Sequence, residues 1–260
     1  MGTIWTWANG GFQRVAGDLS EIAVGSTDYI WGIMSDGRPA QWRNGGFQPV
    51  NAGLTQIAVG HDGETWGIGD DNVTPYRWDG AAFERVNAGI SKIAVGAAAY
   101  VWGIHSLPDR LAFYWGPPGP EGAFHEVNAA LTKVFVGYDG EAWGIGTDGV
   151  TPYRVIGGNF QETDAGLTGG LTYMAVGSIN DVWGLQQNGA VWRWNGQIQR
   201  FVAVNAGLSN ISVGSDGDAW GIGMDNVTPY HWDGAAFQKV NAGLSVISVG
   251  SKDAVWGLQL

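Results

Sequence analysis

Residues 57–69 read IAVGHDGETWGIG. An apolar run closes on Val59-Gly60, the polar turn His61-Asp62-Gly63-Glu64 follows, and a second apolar run carries Trp66-Gly67. Short runs rich in β-branched and aromatic residues, separated by Asp-Gly or Asn-Gly, are hairpin signals. Working outward, Pro75–Trp78 reads as a third strand, Asp79-Gly80 as a turn and Phe83–Val86 as a fourth strand. Asn87-Ala88-Gly89 then leads to another run of the first kind. No stretch carries the length and period of a helix.

The unit recurs through the whole chain. Val-Gly followed by Trp-Gly occurs at Val24/Trp31, Val59/Trp66, Val95/Trp102, Val136/Trp143, Val176/Trp183, Val213/Trp220 and Val249/Trp256, always seven residues apart. Successive tryptophans lie 35, 36, 41, 40, 37 and 36 residues apart. Such a period calls for repeated supersecondary units that stack to bury their faces. Seven units of four antiparallel strands predict an all-β fold, a seven-bladed β-propeller forming one domain over residues 1–260, because a radial arrangement leaves only short edges. The ends of the chain point the same way. It opens on third- and fourth-strand sequence (Ile4–Trp7, Phe12–Val15) and stops on second-strand sequence (Val255–Leu258). The last blade is therefore expected to draw two strands from each terminus, which removes the free edge.

Two irregularities read as surface loops: the proline-rich insertion from Trp115 to Gly122, and Thr168–Leu171. A second period overlies the first. Units two, four and six share Asp-Gly-(Glu/Asp)-x-Trp-Gly-Ile-Gly and a later Val-Thr-Pro-Tyr, and Trp66, Trp143 and Trp220 are 77 and 77 residues apart.

Composition narrows the function. With 13 basic and 24 acidic residues the net charge is −11. The arginines are scattered, so a nucleic-acid partner is not expected. No apolar run is long enough to span a bilayer, and membrane insertion is not expected either. The absence of cysteine excludes disulfides and thiolate chemistry. The beginning, MGTIWTWANGG, lacks the pattern of a signal peptide, so a cytoplasmic location is expected, with any release independent of one. No dinucleotide, phosphate-loop, Gly-x-Ser-x-Gly or His-Glu-x-x-His motif is present, and His61, His105, His125 and His231 occupy different repeat positions. Neither a catalytic set nor a cofactor or metal site is implied; the loop carboxylates do not follow the EF-hand pattern.

The even-numbered units supply the candidate site. Asp71, Asn72, Thr74, Tyr76 and Arg77 recur as Asp148, Thr151, Tyr153 and Arg154, and again as Asp225, Asn226, Thr228, Tyr230 and His231. Carboxylates, amides and hydroxyls match sugar hydroxyls, and an aromatic face covers the C–H surface of a pyranose. Three copies on a ring would add avidity. The same residues also read as a hydrogen-bonded loop cap with a packed tyrosine. On strand order, these loops lie on the face opposite the Asp-Gly turns that precede each even Trp.

The (Ile/Val)-Ala-Val-Gly, Val-Trp-Gly-Ile and Tyr-Arg-Trp-x-Gly-x-x-Phe-x-x-Val segments resemble tectonin repeats over essentially the whole chain. The resemblance implies a β-propeller lectin that binds glycans or glycoconjugates, among them O-methylated sugars and bacterial lipopolysaccharide, in innate defence. The lack of cysteine is most similar to fungal members. Several well-known members have six blades, so the seventh unit and the two-unit alternation are departures. Multivalent carbohydrate binding without catalysis is the expectation. A protein-interaction scaffold and a metal-dependent propeller lactonase or lyase are the alternatives, and the oligomeric state is left open.

Overall fold

The computed structural model describes residues 2–106, 108–116, 122–163 and 166–260, where strands, turns and bends account for all the regular structure. Strands β1 (Gly2–Ala8) and β2 (Gly11–Leu19) come first. Unit one, named for Trp31, contains β3 (Glu21–Val24), β4 (Ile30–Ile33), β5 (Pro39–Arg43) and β6 (Gly46–Pro49). Unit two contains β7 (Leu54–Val59), β8 (Thr65–Gly69), β9 (Pro75–Trp78) and β10 (Phe83–Arg85). Units three and four run through β11 (Ile90–Ala97), β12 (Tyr100–His105), β13 (Leu111–Gly116), β14 (Ala123–Val136), β15 (Ala142–Gly146), β16 (Pro152–Ile156) and β17 (Asn159–Glu162). Units five and six run through β18 (Tyr173–Ser178), β19 (Asp181–Leu185), β20 (Ala190–Asn195), β21 (Arg200–Val213), β22 (Ala219–Gly223), β23 (Pro229–Trp232) and β24 (Phe237–Lys239). The chain closes with β25 (Val246–Ser251) and β26 (Ala254–Gln259).

All pairings are antiparallel between neighbours, and β1 lies beside β26 with Trp5 opposite Gly257 and Thr6 opposite Trp256. The resulting sheet runs β2-β1-β26-β25, two strands from each end of the chain. The Asn-Ala-Gly segment read as a connection at Asn87-Ala88-Gly89 recurs at Asn205-Ala206-Gly207, yet there, and at Asn128-Ala129-Ala130, the backbone stays extended. Leu111 pairs with Ala130 and Ala190 with Gly207 across a register shift, so β14 and β21 each serve two units. The Thr168–Gly170 loop is largely exposed and tied to the Gln186 side chain, which donates to the carbonyls of Thr168 and Gly170 at 2.7 and 3.1 Å. Pro117–Glu121 of the proline-rich insertion lie outside the described residues.

The core sits between units. Every Trp-Gly tryptophan but Trp102 inserts edge-on into the third- and fourth-strand aromatics of the next unit: Trp31 against Trp78 and Phe83, Trp66 against Trp115 and Phe124, Trp143 against Trp194 and Phe201, Trp183 against Trp232 and Phe237. Trp102 meets Phe160, Trp220 meets Trp7 and Phe12, and Trp256 meets Trp42 and Phe47. Edge-to-face pairs of this kind contribute about 0.5–1.5 kcal/mol each beyond the area they bury. The glycine after each tryptophan clears space: a Cβ at Gly103 or Gly144 would lie 2.7 or 2.6 Å from the side chain of Ile90 or Leu131. Seven valines, Val24, Val59, Val95, Val136, Val176, Val213 and Val249, line one narrow passage.

The two-unit period has a mechanical basis. Backbone N–H groups of His61, Tyr138 and Ser215 donate to the carbonyls of Gly96, Gly177 and Gly250 in the following unit, at 2.9, 3.0 and 2.9 Å. Beside them Asp62, Asp139 and Asp216 accept from the backbone of Ala98, Ile179 and Lys252 at 2.8, 2.8 and 2.9 Å. Units two and three, four and five, and six and seven are thereby pinned as pairs.

Candidate functional site

The predicted site residues separate into three groups. In the second-to-third loops, Asp71 Oδ1 accepts from the backbone of Val73 and Thr74 at 3.0 and 2.9 Å, and its Oδ2 accepts from Thr74 Oγ1 at 2.5 Å. Asp148 with Thr151 and Asp225 with Thr228 repeat this clasp. Donors aimed at a charged carboxylate favour the charged form. The Thr hydroxyl and two backbone N–H groups hold all three carboxyls below their ordinary range, Asp225 at about 2. Asn72 and Asn226 adopt left-handed φ values of 60° and 58°, and the equivalent residue in unit four is Gly149 at 80°.

Tyr76, Tyr153 and Tyr230 lie against these loops, half-buried. Their rings fill the space above Gly69, Gly146 and Gly223, where a Cβ would come within 2.8, 2.8 and 2.9 Å of them, and they contribute to the cores between units. Burial, and then the charges of Glu162 and Asp148, push the Tyr153 hydroxyl up. The structure thus brings Asp71, Asn72, Thr74 and Tyr76 together.

Arg77, Arg154 and His231 go elsewhere. Successive side chains of a strand point to opposite faces, and these residues sit opposite Trp66, Trp143 and Trp220 in the β8–β9, β15–β16 and β22–β23 ladders. Each lies over its tryptophan. The Arg77 and Arg154 guanidinium carbons are 5.9 and 5.6 Å from the indole centroids, and the His231 ring stacks on Trp220 at 4.4 Å. A carboxylate from the first-to-second turn completes each set. Glu64 takes the Trp66 indole N–H at 2.6 Å and two Arg77 bonds at 2.7 and 3.0 Å. Glu141 does the same for Trp143 and Arg154, and Asp218 for Trp220 and His231. In unit five, Asp181 pairs with Arg193 at 3.1 Å while the Trp183 indole N–H has no partner among the described residues.

Glu64, Glu141 and Asp218 were not among the predicted site residues. Their signal was an acidic residue two positions before each even Trp, thirteen before the cation. Around the first of these sets runs a groove of about 1410 Å³ across units one to three. Tyr29, Arg43, Glu64, Arg77, Trp78 and Trp115 contribute to its walls. Among the described residues, no three His, Asp or Glu side chains cluster as a metal would require, and no helix is long and apolar enough to cross a membrane.

An all-antiparallel assembly of four-stranded units, with aromatics relayed from each to the next, defines a β-propeller. Solved structures agree at the level of fold. A streptogramin B lyase structure superposes with a TM-score of 0.66 at 14% identity, covering 99% of this chain and 98% of that one. Virginiamycin B lyase from Staphylococcus aureus gives 0.66 at 13%, covering 94% and 95%. The WD40 β-propeller domain of Doa1 gives 0.64 at 11%, covering 98% and 94%. No curated protein matches the chain. The Tectonin domain model matches residues 2–79 and 53–200, well over half of the sequence, and the chain belongs to the tectonin domain family.

Proposed function

We propose that the seven units close into a seven-bladed ring sealed by β1 against β26, and that this ring is a multivalent lectin without catalytic chemistry. The observation that carries the reading is the groove beside Trp66. Aromatic walls there adjoin Arg77, which Glu64 neutralises, and the lining sets Arg43, Arg77 and Arg85 against Asp62, Glu64, Asp79 and Glu84, so hydrogen-bond donors and acceptors stand together with little net charge. That chemistry matches the hydroxyls and C–H faces of a neutral sugar. Repetition of the indole, carboxylate and cation set in units four and six supplies the copies that avidity on a repetitive surface needs.

A glycan array followed by calorimetry tests this. Selective sugar binding that survives 0.5 M salt and weakens about ten-fold in Tyr29→Ala/Arg43→Ala, two exposed groove residues, supports the groove. Loss instead in Asn72→Gly/Asn226→Gly would move recognition to the opposite loops. A clean array beside a stable protein partner would overturn the lectin reading in favour of a scaffold.

A further inference from the structure

The second-to-third loop of most units is tied to the connection that leaves the same unit. Backbone N–H groups of Leu54, Leu131, Leu171, Leu208 and Leu244 donate to the carbonyls of Gly37, Arg110, Val150, Gly189 and Val227 at 2.7–2.9 Å. In unit two, among the described residues, no such bond joins Ile90 to Val73. The Ser106 N–H donates instead to the Gly89 carbonyl at 3.0 Å, which holds the connection toward unit three. A cavity of about 590 Å³ opens at this untied loop.

Its lining differs from the surface of an acidic protein. Asn72 and Val73 contribute from unit two, Lys92, His105 and Arg110 from unit three and Thr132 from unit four, and no carboxylate lines it among the described residues. Neither Lys92 nor Arg110 has a salt-bridge partner among the described residues, whereas His105 is engaged by Asp109 at 2.8 Å. Lys133, next in sequence to Thr132, has its ammonium pKa lowered by burial and then by the Lys92 charge, so positive charge is crowded here. Asn72 donates one amide N–H to the Asp70 carbonyl at 3.3 Å, and its Oδ1 remains an acceptor.

We propose that this cavity binds an anionic sugar, a monosaccharide unit bearing a carboxylate, sulfate or phosphate, with Arg110 and Lys92 on the charge and Asn72 on a hydroxyl. Two cations without a salt-bridge partner among the described residues, set in a concave site, favour an anion through charge-assisted bonds, and the volume is that of a small-ligand pocket. The saccharide part rests on the lectin reading; the anion part stands on the cavity alone.

Calorimetry at low salt with glucuronate, glucose 6-sulfate, glucose 6-phosphate, glucose and inorganic sulfate tests it. At least one anionic sugar is expected to bind ten-fold or more tighter than glucose, to weaken as salt rises, and to lose ten-fold or more in Lys92→Gln/Arg110→Asn. Asparagine suits the left-handed φ of 53° at position 110, and a Lys92→Arg/Arg110→Lys protein that retains binding ties the loss to charge. Absence of binding by every anionic sugar, or equal binding by the charge-free variant, would overturn the site. Inorganic sulfate binding as tightly as glucose 6-sulfate would overturn its sugar specificity. Neutral glycans bound on the array with no anionic binding would remove this site and leave the lectin reading; the converse would remove that reading and leave the anion site.

Discussion

Glu21 and Gln56 occupy the same position at the start of the first strand in neighbouring units, and they solve one problem in two ways. Gln56 bridges to the next unit with both ends of its amide, donating to the Ile93 carbonyl at 3.1 Å and accepting from its N–H at 3.3 Å. Glu21 has no amide to donate and makes one half of that bridge, accepting from Ile57 N–H at 3.1 Å. Burial pushes its carboxyl from an ordinary 4.5 up to about 7, against the smaller opposing effects of that bond and the Lys92 charge. An acid raised in the folded state keeps its proton there after the unfolded chain has lost it, so stability falls as pH rises from about 4.5 to about 7. The loop aspartates act in the opposite sense: their contribution is present above the unfolded value of 3.8 and is lost as pH falls, for Asp225 toward about 2. Glu21→Gln is expected to raise stability at pH 8 by roughly 1–3 kcal/mol and to change little at pH 4. Urea titrations at the two pH values check this; equal effects at both would remove the assignment.

At the scale of the element, the clasped loop of the even units depends on a left-handed residue in its middle. Gly149 fills that position in unit four, so Asn72→Gly and Asn226→Gly are expected to stay within about 0.5 kcal/mol of the parent protein. Asn72→Val, a β-branched residue forced to positive φ, is expected to cost about 1–2 kcal/mol. Thermal melts of the three proteins separate these outcomes. The strands around these loops were legible because Trp-Gly marks every copy and Asp-Gly or Asn-Gly marks every copy but the third: Pro75–Trp78 has the expected bounds, and Val255–Leu258 lies within β26. The site was less legible, for a reason of geometry. Tyr76 and Arg77 are adjacent in sequence, which assigns them to one loop, yet the pleat turns them to opposite faces. The arginine therefore meets Glu64, a residue from the other end of the hairpin. Pairing along the ladder rather than adjacency along the chain decides which residues share a site, and it also decides why Asn205-Ala206-Gly207 became strand.

For the whole molecule, the decisive contact joins the ends. The β1 strand lies on β26, and Trp7 and Phe12 receive Trp220. Deleting residues 1–19 would leave β26 as an open edge and strip one side from the cluster around Trp220, Ile222 and Leu244. The truncated chain is expected to lose its cooperative melt and to associate, as seen by circular dichroism and size-exclusion chromatography. A monomeric, cooperatively melting product would sink the proposed ring.

The pins that couple units in twos carry an arithmetic of their own. In the proposed ring, three couples leave unit one single, set between a couple on either side. Copying or losing a whole couple would change the circumference by two and keep the number of units odd. Adding one lone unit next to the first would instead offer it a mate. In the proposed ring, gain or loss of whole couples would run through five, seven and nine units, and an even count would require a single unit gained or lost.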